Sequence, residues 1–137
     1  MSTPKLPFDI REIPVSVLAY IGDAVYELFV RLHVASASCA GSGELHRKSI
    51  SFVSARSQAE VMRRLLPVLT ETEAAIYRRV RNHQTGSMPK NADPVTYHIA
   101  TGLEGLVGYL YLNDERARLD ELMNLALDAG EENCLET

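Results

Sequence analysis

The run Leu18-Ala19-Tyr20-Ile21-Gly22-Asp23-Ala24-Val25-Tyr26-Glu27-Leu28-Phe29 places a glycine and a carboxylate side by side inside an apolar and aromatic stretch. After Pro14, the residues Val17, Ile21, Ala24, Val25, Leu28 and Leu32 recur at steps of three and four, which traces one apolar helix face to about Ala35. Inside such a helix glycine costs about 1 kcal/mol against alanine, and a carboxylate buried alone is costlier still. Something must compensate for both. Gly22 would let another backbone approach closely, and Asp23 would then need a partner.

Outward from this helix the chain continues to read as helices joined by short breaks, without repeats or period-two alternation. Ser36 to Gly43 is a small-residue loop, and two helical stretches follow, about Glu44 to Phe52 and Ser54 to Leu66, the second ended by Pro67. Thr70 and Glu73 have capping-box spacing, which predicts a helix from Glu71 to about Asn82. His83 to Asp93 reads as a loop. Asp93 before Pro94 predicts a helix start, with the helix running to about Leu112. Asn113 or Asp114 caps a last helix that Gly130 is expected to close. The fold class is all-α, a helical bundle. One domain spans residues 1–137, with an N-terminal arm of about 1–12 and a polar tail at 131–137.

In the helix after Pro94, Thr101, Glu104, Gly105 and Gly108 fall at i, i+3, i+4 and i+7, so a carboxylate stands beside two residues without side chains. If the Gly22 and Gly105 surfaces meet, Asp23 and Glu104 project toward one point. Two carboxylates that close need a cation or a shared proton. Mg²⁺ suits them, since it takes one or two carboxylates plus waters and keeps positions open for phosphate oxygens. His33, His46, His83 and His98 show no zinc pattern, and Cys39 and Cys134 lack CxxC spacing and read as free thiols.

The chain of 137 residues has a net charge of −4, yet nine of its basic residues fall between His46 and Ala92 against three acids. That asymmetry can focus a positive field on one face. From Arg78 to Asn91 there is no acid at all; Arg78, Arg79, Arg81 and Lys90 supply charge, and Asn82 and Asn91 supply amides. This mixture suits phosphate and sugar contacts that reach 2′-hydroxyls across a minor groove, and it equally suits an ordinary flexible surface loop. No window is apolar for the 18 or so residues a membrane span needs, and the first ten residues contain Asp9 and two prolines, so a cytoplasmic home and no membrane partner are expected.

The Leu18–Glu27 segment resembles the signature helix of the ribonuclease III family. Val53-Ser-Ala-Arg-Ser-Gln-Ala59, Arg81-Asn82, Pro89-Lys-Asn-Ala-Asp93 and Glu104-Gly-Leu-Val-Gly-Tyr-Leu-Tyr-Leu112 resemble, in order and spacing, its Mini-ribonuclease III branch, which has a catalytic domain and no double-stranded-RNA-binding domain. The resemblance implies a magnesium-dependent homodimeric endoribonuclease that cuts both strands of double-stranded RNA, leaves 5′-phosphate and 3′-hydroxyl ends, and matures 23S ribosomal RNA precursor. It also implies that Asp23 and Glu104 are the metal-binding, catalytic carboxylates, and it leaves room for a ribosomal protein or ribosome-assembly partner. Ala19 and Thr101 stand where full-length members carry further acids.

That thinner shell favours a rival, a non-catalytic RNA- or ribosome-binding module on the same fold. Asp23 and Glu104 oppose it, because a pure binder has no use for paired acids facing phosphates. A nucleotide pyrophosphohydrolase would carry Glu-x-x-Glu clusters, and none occurs between Glu12 and Glu104.

Overall fold

The structure, a computed structural model, describes residues 4–37, 41–83 and 88–135. Six helices account for most of them: α1 (Val15–Ala37), α2 (Ser42–Val53), α3 (Ala55–Leu65), α4 (Glu71–Asn82), α5 (Pro94–Leu112) and α6 (Arg116–Leu135). Side chains set several of the starts. Ser54 accepts from the Ser57 N–H at 3.2 Å to open α3. Thr70 and Glu73 close a full capping box on α4. Asp93 takes both the N–H and the hydroxyl of Thr96, with Pro94 in the first turn of α5.

Helix α5 is the axis of the bundle, packed by α1, α3 and α4, and its contact with α1 is the most extensive in the molecule. The main core joins Tyr26, Val30 and Val34 of α1 to Phe52, Met62, Tyr77, Leu103, Leu106 and Leu110, and α6 adds Leu119 and Met123. A smaller cluster of Ile13, Val15, Leu18 and Val80 takes Leu6 and Ile10 from the N-terminal arm, so that arm is anchored by apolar side chains and a short 3-10 turn, Ile10–Glu12.

Several boundaries differ from the sequence reading: the Ser36–Gly43 loop narrows, with α1 running to Ala37 and α2 starting at Ser42, and Asn113 caps the end of α5 rather than the start of α6, which begins at Arg116. Pro67 does not end α3 abruptly but sits in a 3-10 turn, Leu66–Val68. Gly130 does not close α6, which continues to Leu135, so the residues read as a polar tail begin as helix. A Cβ at Gly130 would lie 2.6 Å from the Phe52 ring, and the glycine is there to seat that ring. Glu131 then reaches His33 Nε2 at 2.8 Å, and Glu132 pairs with Arg64, which ties the end of α6 to α1 and α3.

A part-buried ion pair fastens α6 to α4. Arg118 donates from Nε and Nη2 to the two oxygens of Glu73, each at 2.8 Å, and from Nη2 to the Val68 carbonyl at 2.7 Å. Glu73 also accepts from the Thr70 N–H at 2.8 Å, and these donors, Arg118 above all, hold its carboxyl below the usual range. Arg118→Ala leaves that carboxylate buried without its cation and should cost about 3 kcal/mol. Thermal unfolding should show a midpoint lowered by roughly 10 °C. Adding Glu73→Gln should restore part of the loss, and an unchanged midpoint for Arg118→Ala would show that the pair is not a fastening.

Candidate functional site

Where α1 crosses α5 there is no room for side chains. A Cβ at Gly22 would lie 1.6 Å from the Glu104 carbonyl oxygen, and one at Gly108 would lie 1.9 Å from the Leu18 carbonyl oxygen. The pairs Gly22–Glu104 and Leu18–Gly108 fix an antiparallel register with backbone against backbone. The glycine expected to face Gly22 was Gly105, but Gly105 faces α4, where a Cβ would meet Val80 at 2.5 Å. The reason is angular: three positions along a helix leave Gly105 and Gly108 about 60° apart, enough for each to meet a different neighbour of α5.

This crossing brings Asp23 and Glu104 together. They flank the contact, one residue after Gly22 on α1 and on the backbone that Gly22 touches on α5, and Asp23 acts on the Glu104 carboxyl through its charge and by hydrogen bonding. Asp23 is exposed while Glu104 is half-buried. Burial first, then the charge of Asp23 and the bond to it, push Glu104 up to about 8. The same field reaches Tyr26, one turn beyond Gly22, whose phenol is pushed upward chiefly by burial and then by Glu104. Tyr26 escaped the sequence reading because it looks like core, and in packing terms it is core, at 1% exposure.

Two neighbouring carboxyls, one exposed and one half-buried, are a hard-oxygen donor set. They fit a divalent cation that keeps most of its waters. Among the described residues no three acidic, histidine or cysteine side chains cluster, so any ion here relies on these two and on outer ligands. Thr101 lies one turn before Glu104 and contributes no acid.

The basic residues are spread more widely. Arg78 and Arg79 are exposed on α4, while Arg81 lies half-buried along α5, its guanidinium 5.4 Å from the Tyr77 ring centre and its Nε donating to Asn82 at 3.1 Å. Lys90 and Asn91 are exposed in a turn before α5, and residues 84–87 of the same loop lie outside the described residues. The perturbation of Glu104 comes from burial first and then from Asp23. Beside Asp23, α1 also presents Tyr20, Leu28 and Leu32, all exposed and spaced with Ala24 at four-residue steps; Tyr20 is 78% exposed.

A family model described as the Ribonuclease III domain matches residues 16–115, which includes both carboxylates. Among curated proteins the chain is similar to a Mini-ribonuclease 3 of Enterococcus faecalis, 41% identical over 128 residues that cover 91% of this chain and 97% of that one. A Mini-ribonuclease 3 of Symbiobacterium thermophilum is 43% identical over 85% of this chain and 89% of its own. Among solved structures, a crystal structure of a protein from Fusobacterium nucleatum superposes with a TM-score of 0.78 at 26% identity, covering 88% of this chain and 96% of the other.

Proposed function

The chain belongs to the ribonuclease III family, and on that footing we propose that it is an endoribonuclease of the Mini-ribonuclease 3 kind, cutting double-stranded RNA with Mg²⁺ held by Asp23 and Glu104. The observation that carries this reading is the paired carboxyls at the Gly22–Gly108 crossing. A hard divalent cation bound there supplies a polarised water and positive charge for a phosphodiester in hydrolysis. The protein contributes position. Asp23 presents its oxygens at the surface, where a phosphate can approach, and Glu104, recessed beside it, is locked by the backbone contact. Attack by water with departure of the 3′-oxygen leaves 5′-phosphate and 3′-hydroxyl ends.

The exposed apolar stripe Tyr20, Leu28 and Leu32 runs along the helix that carries Asp23, and two copies pairing about it would form a two-fold dimer with one site per strand. Precursor 23S ribosomal RNA is the substrate this family membership favours, in the cytoplasm, with a basic ribosomal protein as a compatible partner for the acids that predominate outside residues 46–92. No helix among the described residues is long and apolar enough to cross a membrane.

Purified protein with long double-stranded RNA and Mg²⁺ should yield short duplexes bearing 5′-phosphates, and a chelator should stop the reaction. RNA left intact but shifted on a native gel would instead support the binding module, which the missing acids at Ala19 and Thr101 favour. The basic run makes a separate prediction. Replacing Arg81 and Lys90 together by alanine should weaken RNA binding and lower the slope of log affinity against log salt by about 1 to 2, as expected for lost phosphate contacts. Gel-shift titrations across a salt series measure both; an unaltered slope would take these two residues out of the interface.

A further inference from the structure

Asp23 and Glu104 are a sparse shell for a cation, and the flanking positions Ala19 and Thr101 add nothing to it. One turn beyond Asp23 on α1 stands Glu27, at i+4 and therefore on nearly the same face. Side chains on a helix lean back over the turn that precedes them, which aims Glu27 at Asp23. In the structure it faces Arg31 instead. Its Oε1 accepts from Arg31 Nη2 at 2.7 Å, in an i,i+4 pair whose side chains are 40% and 62% exposed. Exposed pairs of this type are among the weakest ion pairs in proteins and exchange easily for a better partner.

We propose that Glu27 is the third carboxylate of the cation site, serving a water of the hydrated ion, with Arg31 as the partner that competes for it. The inference rests on reading Asp23 and Glu104 as the cation's direct ligands. Residues at i and i+4 have Cβ atoms about 6 Å apart, a spacing that suits one carboxylate on the ion and the next on its water shell. Mg²⁺ retains several waters, so such an outer position exists. Glu27 then does from four residues after Asp23 what Ala19, four residues before it, cannot do.

The test is metal binding rather than cleavage. Metal-free wild type, E27Q, E27D, R31A and D23N are titrated with Mn²⁺, and the free ion is followed by its paramagnetic resonance signal. Wild type should bind in a manner that D23N abolishes. E27Q should weaken binding about tenfold, the usual scale for an outer-shell partner. E27D should weaken it comparably, because it keeps the charge but withdraws the oxygens by one methylene. R31A should bind at least as tightly as wild type, its competitor being gone. Melting temperatures should stay level, since both side chains are at the surface.

Wild-type affinity in E27Q overturns the proposal. So does wild-type affinity in E27D alongside a weak E27Q, which would reduce Glu27 to a distant charge. If wild type binds no Mn²⁺, or D23N binds as well as wild type, the direct site itself fails and this inference goes with it, a result distinct from an intact site indifferent to Glu27.

Discussion

Alanine at Gly22 is expected to leave the protein unfolded at room temperature, although the change adds only a methyl group. Its Cβ would lie 1.6 Å from the Glu104 carbonyl oxygen, 2.5 Å from its carbon and 2.8 Å from the Gly108 nitrogen, all backbone atoms. A clashing side chain can rotate away; a backbone inside a helix can retreat only by parting the two helices. That movement would strip Leu18, Tyr26, Leu103 and Leu106, each buried to 1% exposure or less, of their close packing. Overpacking with a rotamer escape costs about 1–3 kcal/mol. Without one the loss should exceed about 5 kcal/mol, most of the 5–15 kcal/mol that holds a domain of this size together. Gly108→Ala, aimed at the Leu18 carbonyl, should do the same. Gly43→Ala is the control, a helical glycine with nothing within 4 Å, and it should stabilise by up to about 1 kcal/mol. Circular dichroism melts of the three variants decide the matter, and a cooperative Gly22→Ala melt near the wild-type midpoint would mean that α1 and α5 do not cross at this distance.

The contrast among these glycines marks the limit of reading the chain alone. Helix α4 runs from Glu71 to Asn82 and α5 from Pro94 to Leu112, as the capping residues predict, because a cap is a local hydrogen bond among neighbours in sequence. The position of Asp23 beside a glycine signals a close approach, but which glycine of α5 meets it depends on helix rotation about the core. Gly105 and Gly108 look alike in sequence and face different helices. Gly130 misleads for the same reason: it has the composition of a helix end and the role of a seat for Phe52, 78 positions away. Charge behaves similarly. The excess of bases between His46 and Ala92 is visible by counting, yet Arg64 pairs with Glu132 from outside that stretch, so part of the excess is neutralised on the surface.

Asp23→Asn and Glu104→Gln should each reduce RNA cleavage by at least about a thousandfold, some 4 kcal/mol of lost transition-state stabilisation. They should do so for different reasons, which pH separates. Glu104 keeps its proton to about pH 8 in the folded protein, against an ordinary value of 4.5. Between those values the folded chain binds a proton that the unfolded chain releases, so the contribution of Glu104 to metal-free stability is greatest below about 4.5 and declines as pH rises toward 8. Glu104→Gln removes this dependence, and at pH 8 it should be the more stable protein by on the order of 2–3 kcal/mol. Asp23→Asn removes the repelling charge and should shrink the decline without abolishing it, since burial remains the larger cause. Bound Mg²⁺ must displace the same proton, so wild-type affinity for the ion should climb across pH 6–8 and then level off. Denaturant melts of metal-free protein at pH 5 and pH 8, set beside single-turnover cleavage at the same pH values, test both halves. Glu104→Gln that is inactive but no more stable at high pH would place the carboxyl in solvent, and Glu104→Gln that still cuts RNA would remove it from the reaction. An acid that weakens the fold at the pH where it works is what a site kept for a cation should look like, because the ion relieves the repulsion that the protein alone leaves standing.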